Sequence, residues 1–479
     1  MESLSNTFRD AVKVAREMNV RYLWIDSLCI VQNDLVDWEK ESVRMGSYYS
    51  NALFNIAAVS SSDGFGGLFA SHNPFETTPC PATVILPSSD TVGEQKVIEG
   101  FLRASISRDP ALQVAIFQRP PLWQRAWVLQ ERLLSSRMLM FSNVQMSWKC
   151  REEEASELAP EGSQRHADMS RGDDMLRLVL MGLKKFHLQT QAVVQKRVDS
   201  GREEAKGEEE SAYDCGTEEE LIQLYNAWYD LVTLYTKCAL TIPSDIFPAI
   251  SGIASSMGAA TQDRYVAGLW IHDLHRGLLW SAPDSTNSKL DLRQYRAPSW
   301  SWASLGATSN FYVREISQKG MKVSTKLFTV NRIAPHVPDK YGTFGRAGVG
   351  TLEVTGILRR AYPMDTDSGL PEEAVFKDIP HRRETLFDLE ERRSVGWYFA
   401  DNIDRRYLSE VWCCPIMTEE RPPRQGEKLR DGQTSIAEAR GMALLLLEKN
   451  RKICMRVGSL WIRDASWFDG CEMESFSII

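Results

Sequence analysis

The sequence predicts an α/β unit with a parallel sheet, then a helical region, then a mainly antiparallel β module. Residues 1–150 alternate amphipathic helices with short apolar strands, which is typical of a parallel α/β sheet. Residues 221–309 return to helical spacing and include a tryptophan-rich segment. In residues 310–479, β-branched and aromatic runs are separated by turn-like segments, which indicates antiparallel strands. Residues 151–220 form a charged insertion between these regions.

Charge is concentrated in that insertion. Residues 151–220 hold 18 acidic and 10 basic residues, and this difference equals the net charge of −8 of the whole chain. We expect the insertion to be solvated and partly disordered, because few of its residues can be buried in a core. The negative charge of the chain also argues against a general binder of nucleic acid or of anionic membranes.

Targeting and cysteine features favour a cytoplasmic protein. The sequence has no basic N-terminal segment leading into an apolar run, and no apolar stretch approaches the roughly 20 residues of a membrane helix. Its 9 cysteines include no CxxC pair, so neither a zinc ribbon nor a disulfide framework is indicated. His272 and His275 form an HxxH, which we interpret as a surface pair and not as metal ligands. No metal and no cofactor are expected.

Apolar periodicity predicts the elements of the first unit. Stripes at a spacing of three and four residues indicate helices, and short β-branched or aromatic runs indicate strands. These elements are helices at 7–18 and 34–50, strands at 21–30 and 53–59, a turn at 60–67 and an irregular excursion at 71–92.

The stretch 121–141 organises the first unit. Two prolines suit the start of a helix there, and apolar residues then recur at helical spacing before a short strand. Trp127 and Glu131 lie one turn apart, so the indole and the carboxylate share one face. A carboxylate against an apolar wall can have a raised pKa or act as a hydrogen-bonding anchor. Alternatively, Glu131 pairs with Arg125 or Arg137 at the edge of the core.

Asp26 is a second candidate for a site. It lies near the C-terminal end of the predicted strand 21–30, and in open α/β sheets such ends border the ligand crevice. The alternative is that Asp26 caps the next loop. Further along, residues 265–280 predict a pair of aromatic helices. Trp300 and Trp302 fall on the same side of an extended segment, where alternating tryptophans are typical of a wall or core.

Several segments resemble the fungal heterokaryon-incompatibility (HET) domain. Its first half is similar to RYLWIDSLCIVQND at 21–34 and DWEKESVRMGSYYSNALFNIAA at 37–58. Its second half is similar to RAWVLQERLLSSRMLMF at 125–141 and MSWKC at 146–150. The region that follows the domain in many filamentous-fungal members resembles the later YVAGLW, GLLW, APSWSWAS, GMALLLL and CMRVGSLWI. The resemblance covers nearly the whole chain.

The resemblance implies a cytosolic effector of nonself recognition, in which fusion of unlike fungal cells triggers programmed death. An incompatibility partner protein and self-association fit this role. HET domains also look like distant relatives of TIR domains, which have a flavodoxin-like parallel sheet. Some TIR domains hydrolyse NAD with a glutamate four residues after a tryptophan, the spacing of Trp127 and Glu131. On this resemblance Glu131 is the catalytic candidate and NAD is a substrate. The pocket is then lined or braced by Asp26, Arg125, Trp127 and Gln130.

One departure from the family concerns the first strand. Family members begin with a strand bearing a Ser-Tyr-x-Trp-Gly pattern, whereas this sequence starts almost directly on its first helix. We therefore expect a domain without that strand, with an unpaired strand edge. Three functions stay open: an incompatibility effector that works through assembly without chemistry, a TIR-like NAD glycohydrolase, and a tailoring or accessory protein of a fungal metabolic gene cluster.

Overall fold

A computed structural model divides the chain into two compact units, Met1–Leu178 and Val179–Ile479. The charged insertion predicted at 151–220 lies largely outside the described residues. The described residues are 4–71, 80–87, 95–102, 120–143, 145–150, 153–157, 160, 162, 218–282, 295–305, 321–323, 327–334, 350–364, 384–401, 409–423, 434–450 and 452–479.

Three helices come first in the unit Met1–Leu178. α1 spans Asn6–Glu17, and the Ser5 side chain caps it by accepting from a first-turn N–H. α2 is the single turn Asp26–Cys29. α3 spans Leu35–Asn51, and the Asp34 carboxylate accepts from two N–H groups of its first turn. α1 and α3 confirm the helices predicted from apolar stripes.

The segment 21–30, predicted as a buried strand, contains no strand. It runs irregularly up to α2, and its Trp24 side chain packs on α3. The Trp24 ring centroid lies 4.9 Å from that of Tyr48 and 5.9 Å from that of Tyr49. Strand propensity measures how well a side chain fits a half-buried surface, and here a helix provides that surface. Asp26 consequently begins a short helix and does not end a strand.

The next segments of the chain are β1 and a hairpin. β1 (Asn55–Ala58) confirms the strand predicted at 53–59. The predicted irregular excursion at 71–92 is wrong for its second half, because β2 (Cys80–Pro87) pairs antiparallel with β3 (Gln95–Leu102). Prolines suggest a loop there, but each strand of a two-stranded ribbon has a free edge, where a proline breaks no ladder hydrogen bond.

The central stretch folds as its prolines and apolar stripe predict. A 3₁₀ turn at Pro121–Gln124 has a proline at its first position. It leads into α4, which spans Ala126–Leu134. After α4 the chain enters β4 (Arg137–Phe141), β5 (Met146–Cys150) and β6 (Glu154–Ser156).

The sheet of the first unit is mixed and not parallel throughout. Its strand order is β1–β4–β5–β6. β1 and β4 are parallel, whereas β4–β5 and β5–β6 are antiparallel. Parallel neighbours need a long crossover, which the chain between β1 and β4 supplies, whereas only a few residues join β4 to β5 and β5 to β6. Among the described residues β1 pairs with β4 alone, so it forms one edge of the sheet.

The unit Val179–Ile479 begins with helices. The helix predicted from residue 221 onward is confirmed, whereas the aromatic helix pair predicted at 265–280 is mostly wrong. A short hairpin replaces the first predicted helix, and one helical turn follows it. The elements are α5 (Glu218–Tyr235), α6 (Ser251–Thr261), β7 (Tyr265–Val266), β8 (Leu269–Trp270) and α7 (Leu274–Gly277).

The turn of this hairpin explains why no helix forms. Ala267 and Gly268 have φ values of 47° and 90°, the pattern of a two-residue hairpin turn. The carbonyl of Gly268 accepts from the indoles of Trp228 and Trp302, at 3.4 and 2.9 Å. Trp302 and Trp300 are buried, which confirms the prediction of a core role. Trp302 starts a 3₁₀ turn, however, so the segment is not extended.

Ten strands among the described residues form the sheet of the second unit, as the predicted C-terminal β module requires. Their bounds are β9 Met321–Val323, β10 Phe328–Ile333, β11 Leu352–Ile357, β12 Arg359–Met364, β13 Glu384–Asp388, β14 Arg393–Ala400, β15 Val411–Arg421, β16 Ile436–Glu448, β17 Ile453–Ile462 and β18 Met473–Ile478. β16 pairs with both β15 and β17, so β17, β14, β13, β12, β15 and β16 close into a barrel. Within this sheet, the pairings between the described strands are antiparallel except for the parallel pairing of β17 with β18.

A buried arginine in the barrel binds residues of the helical region of the same unit. Arg456 of β17 is 2% exposed, and its Nε lies 2.8 Å from Oδ2 of Asp401. The guanidinium also donates to the carbonyls of Leu278 and Trp280, and it stacks 3.6 Å from the Trp280 ring centroid. Because each of these partners is buried, loss of the guanidinium leaves a carboxylate and two carbonyls unsatisfied.

We predict that Arg456→Ala lowers the free energy of unfolding by roughly 3–5 kcal/mol, the range for breaking a buried ion pair. The matched control is Arg360→Ala. Arg360 lies 3.6 Å from Glu410 in an exposed ion pair, and such pairs contribute about 1 kcal/mol or less. The measurement is the urea midpoint followed by tryptophan fluorescence. Equal midpoints for the two variants would contradict the role given to Arg456.

Candidate functional site

One face of α4 contacts one face of α3 and brings a carboxyl group between them. Trp127 meets Trp38 edge to face, with centroids 6.5 Å apart and rings at 87°. One turn later in α4, the Glu131 carboxylate accepts a hydrogen bond from the Tyr49 hydroxyl. The predicted helical face of Trp127 and Glu131 is therefore directed at another helix, and the glutamate is partly buried.

Local sequence fixes where Glu131 lies along α4. The 3₁₀ turn at Pro121–Gln124 ends at Arg125, whose extended backbone marks the start of α4. The other end of α4 is closed by Ser135, whose hydroxyl donates to the backbone carbonyl of Glu131 at 2.6 Å. The backbone of Glu131 is thus held by the helix end, so the remaining freedom of this residue is in its side chain.

Burial dominates the ionisation of Glu131. Desolvation raises its pKa from the ordinary 4.5 to about 7, and the negative charge of Asp26 adds to the rise. The positive charge of Arg125 and the hydrogen bond from Tyr49 act in the opposite direction but are weaker. At neutral pH the carboxyl group is therefore divided between its acid and its base form.

Tyr49 is the hydrogen-bond donor of the cluster. Burial raises the pKa of Tyr49 far above its ordinary value, and the negative charges of Glu131 and Asp26 raise it further. The phenol consequently keeps its proton throughout the physiological range. Its ring is fixed by Trp24, whose centroid lies 5.9 Å away at an interplanar angle of 80°.

Asp26 and Arg125 form the solvent-accessible part of the cluster. Both side chains are exposed, yet both charges act on Glu131. The position of Asp26 is fixed at the first residue of α2, where its Oδ1 accepts from the N–H of Ser27 at 2.6 Å. A single group of residues thus spans from the interior of the unit to its surface; we call Asp26, Tyr49, Arg125 and Glu131 the carboxyl cluster.

Of the remaining candidate residues, Trp127 lies beside Glu131 and Gln130 lies in the core. Trp127 is partly buried and forms an apolar wall next to Glu131. Gln130 is 0% exposed, so its side chain lies in the interior of the unit and has no solvent-facing surface. Arg137, the alternative partner suggested for Glu131, donates instead to the backbone carbonyl of Leu53 at 3.4 Å. Arg125 is therefore the arginine that acts on the glutamate.

Sequence reasoning misses Tyr49 as part of the site. It does predict the helix and the helical face of Tyr49, because Trp38, Ser42, Met45 and Tyr49 recur at helical spacing. That spacing indicates a buried face but does not say which residue of another element it meets. The sequence signal for a polar partner is the tyrosine hydroxyl on this buried face, since a buried phenol needs a hydrogen-bond partner.

The carboxyl cluster can perform acid–base or electrostatic chemistry without a metal. A carboxyl group with a pKa near 7 can accept or release a proton at physiological pH. Within the part of the chain that the structure describes, no group of three or more His, Cys, Asp and Glu residues is placed to hold a metal ion. Within that part, too, no helix combines the length and the apolar character that crossing a membrane requires.

Residues 1–131 match the family model described as Heterokaryon incompatibility protein (HET). The matched range includes Asp26, Tyr49, Arg125 and Glu131, which are the whole carboxyl cluster. The resemblance noted in the sequence is confirmed over this range. No curated protein and no solved structure matches the chain.

We predict that Glu131→Gln stabilises the protein in a pH-dependent manner. The folded-state pKa of Glu131 is raised from 4.5 to about 7, so stability is lost as the pH rises between these values. Glutamine has no proton to lose and keeps that stability. At about pH 8 the variant should be more stable than the unaltered chain by an amount on the order of 3 kcal/mol and should melt at a higher temperature. Both differences should close near pH 4.

The matched control for this experiment is Glu17→Gln, which alters an exposed glutamate of the same unit. Thermal melts of both variants over the pH range give the comparison. A Glu131→Gln melting temperature that stays at a constant offset from the unaltered chain would show that Glu131 ionises normally in the folded protein.

Proposed function

We propose that this chain, whose residues 1–131 match the HET family model, is an effector of heterokaryon incompatibility. In this role it triggers programmed death when unlike fungal cells fuse. The support is the family match, which spans all of the carboxyl cluster.

The chemistry we propose is hydrolysis of NAD at the bond between nicotinamide and ribose. A single observation carries this proposal. The Glu131 carboxylate accepts a hydrogen bond from Tyr49 and lies one helical turn after Trp127, beside the charges of Asp26 and Arg125. A carboxylate in such a position can hold ribose hydroxyls and stabilise positive charge that develops on the sugar.

The reaction balances without a cofactor. The bond between ribose C1′ and the nicotinamide ring nitrogen breaks, and its electron pair passes to the nitrogen, so nicotinamide leaves as a neutral molecule. C1′ gains oxocarbenium character, which the Glu131 carboxylate stabilises. Water then adds to C1′ and releases a proton, for which a carboxylate of pKa about 7 is a suitable acceptor. The products are nicotinamide and ADP-ribose.

A TIR-like arrangement of the first unit is part of the same proposal. It is supported by the parallel pair β1 and β4, with α4 on the connection between them. Helices on the connections between parallel strands are the repeating element of flavodoxin-like sheets. The antiparallel strands β5 and β6 would then be an addition at one side of that arrangement.

We predict that the purified chain releases nicotinamide from NAD and that Glu131→Gln reduces this release by roughly a hundredfold or more, as for loss of a catalytic acid–base group. Glu17→Gln is the matched control and should retain full release. Free nicotinamide is followed by chromatography. No release above the buffer rate, or release that survives Glu131→Gln, would end the hydrolase proposal.

The pH profile gives this test a second readout. Release should rise with pH through about 7, as Glu131 becomes ionised. The Tyr49 hydrogen bond lowers the pKa of Glu131, so Tyr49→Phe should move the inflection to higher pH. A purely structural role of Tyr49 would change the amount of active protein and leave the inflection in place.

We predict that expression of the chain in a filamentous fungus causes cell death, and that the outcome with Glu131→Gln separates chemistry from assembly. Viability is scored beside Glu17→Gln at matched protein levels. Death that requires Glu131 supports an enzymatic effector. Death with both variants supports an effector that works through assembly. Survival with the unaltered chain contradicts the effector role.

A further inference from the structure

A groove in the unit Val179–Ile479 is independent of the carboxyl cluster. It measures ≈ 520 Å³ and runs between the segment around α7 and the edge strand β10. This volume falls within the range of about 300–1,000 Å³ that small-molecule sites occupy. All of its lining residues belong to the second unit.

The floor of the groove is apolar. It is formed by Ile271 and Leu274 on one side and by Phe328, Val330 and Ile333 of β10 on the other. Leu274 and Phe328 are buried beneath this floor, so the apolar surface that a ligand can reach belongs to the partly buried Ile271, Val330 and Ile333. A surface of this kind is suited to a flat apolar ligand body, which would gain from removing its own area from water.

A histidine adds a neutral polar group to this floor. The His275 ring lies edge to face with Phe328, at a centroid distance of 5.9 Å and an angle of 87°. Burial lowers the pKa of His275, so the imidazole is neutral at physiological pH. It can therefore donate or accept one hydrogen bond without adding a charge to the groove.

Positive charge lies along the rim. Arg264 and Arg332 line the groove, and none of its described lining residues is acidic. Within the part of the chain that the structure describes, Arg332 forms an ion pair with Glu353 at 3.9 Å, but the two side chains are 64% and 42% exposed. Exposed pairs of this kind are weak, so Arg332 is available to an anion. This is a local excess of positive charge in a chain whose net charge is −8.

The carboxylates next to Arg264 in sequence are engaged elsewhere. Asp263 accepts from the Tyr225 hydroxyl at 2.8 Å and from the backbone N–H of His272 at 3.1 Å. Asp273 is held by Arg276 at 2.7 Å. Both neighbouring carboxylates therefore have hydrogen-bond or ion-pair partners other than the guanidinium of Arg264.

We propose that this groove binds a small molecule with a flat apolar body and one anionic group. The body would lie against Ile271 and Val330, and the anion would be held by Arg264 and Arg332. Carboxylates and phosphate monoesters fit equally, because a guanidinium binds both through paired N–H donors. The proposal does not rest on NAD hydrolysis, which is assigned to the other unit.

The test uses the full chain and the fluorescent probe 2-naphthoate, titrated at fixed ionic strength. Saturable binding is expected. Arg264→Gln and Arg332→Gln should each weaken it about tenfold, as for loss of one charge-assisted contact. The matched control is Arg360→Gln, an exposed arginine in an ion pair with Glu410 and outside the groove. It should leave the dissociation constant unchanged.

Four further compounds distinguish the contribution of the apolar body from that of the anionic group. Neutral 2-naphthamide should bind at least about tenfold more weakly, and acetate and inorganic phosphate should not compete at about 1 mM. Naphthyl phosphate should compete, which extends the site to phosphate monoesters. No saturable naphthoate binding at about 1 mM would overturn the proposal, as would binding that both Arg→Gln variants leave unchanged.

Discussion

The candidate site of the first unit depends on how a carboxyl group is held between two helices. α4 carries Trp127 and Glu131 on one face, and α3 supplies Trp38 and Tyr49 to meet them. The aromatic contact excludes water, and the phenol provides a hydrogen bond that water would otherwise make. The result is a glutamate whose pKa is raised to about 7. The site therefore follows from the helix packing, and a change in the angle between α3 and α4 would remove it.

The elements that the sequence predicts correctly are those whose pattern is strong and local. α1, α3, α4 and β1 have apolar spacing that is regular along the whole element. The segment 21–30 is misassigned because aromatic and β-branched residues favour any half-buried surface, and here that surface is the helix α3. The direction of β5 is also missed, since pairing direction depends on connection length and not on composition.

The candidate site is predictable in part, because some of its residues belong to a strong local pattern. The spacing of Trp127 and Glu131 alone places them on one helical face. Asp26 is a candidate on a wrong premise, the end of a strand, yet its charge does act on Glu131. Tyr49 is missed, because its contact with Glu131 joins two distant parts of the chain. Contacts of that kind are decided by tertiary packing and leave no local pattern.

The most direct test of this account is the titration of Glu131 itself. Carbon-13 NMR of protein labelled at the glutamate carboxyl carbons would follow it, with the Glu131→Gln spectrum used to assign the resonance. The account predicts a midpoint at a pH of about 7, because the group is desolvated and lies near Asp26. A midpoint at the ordinary 4.5 would show that the carboxyl group is fully hydrated, and the carboxyl cluster would then have no special chemistry.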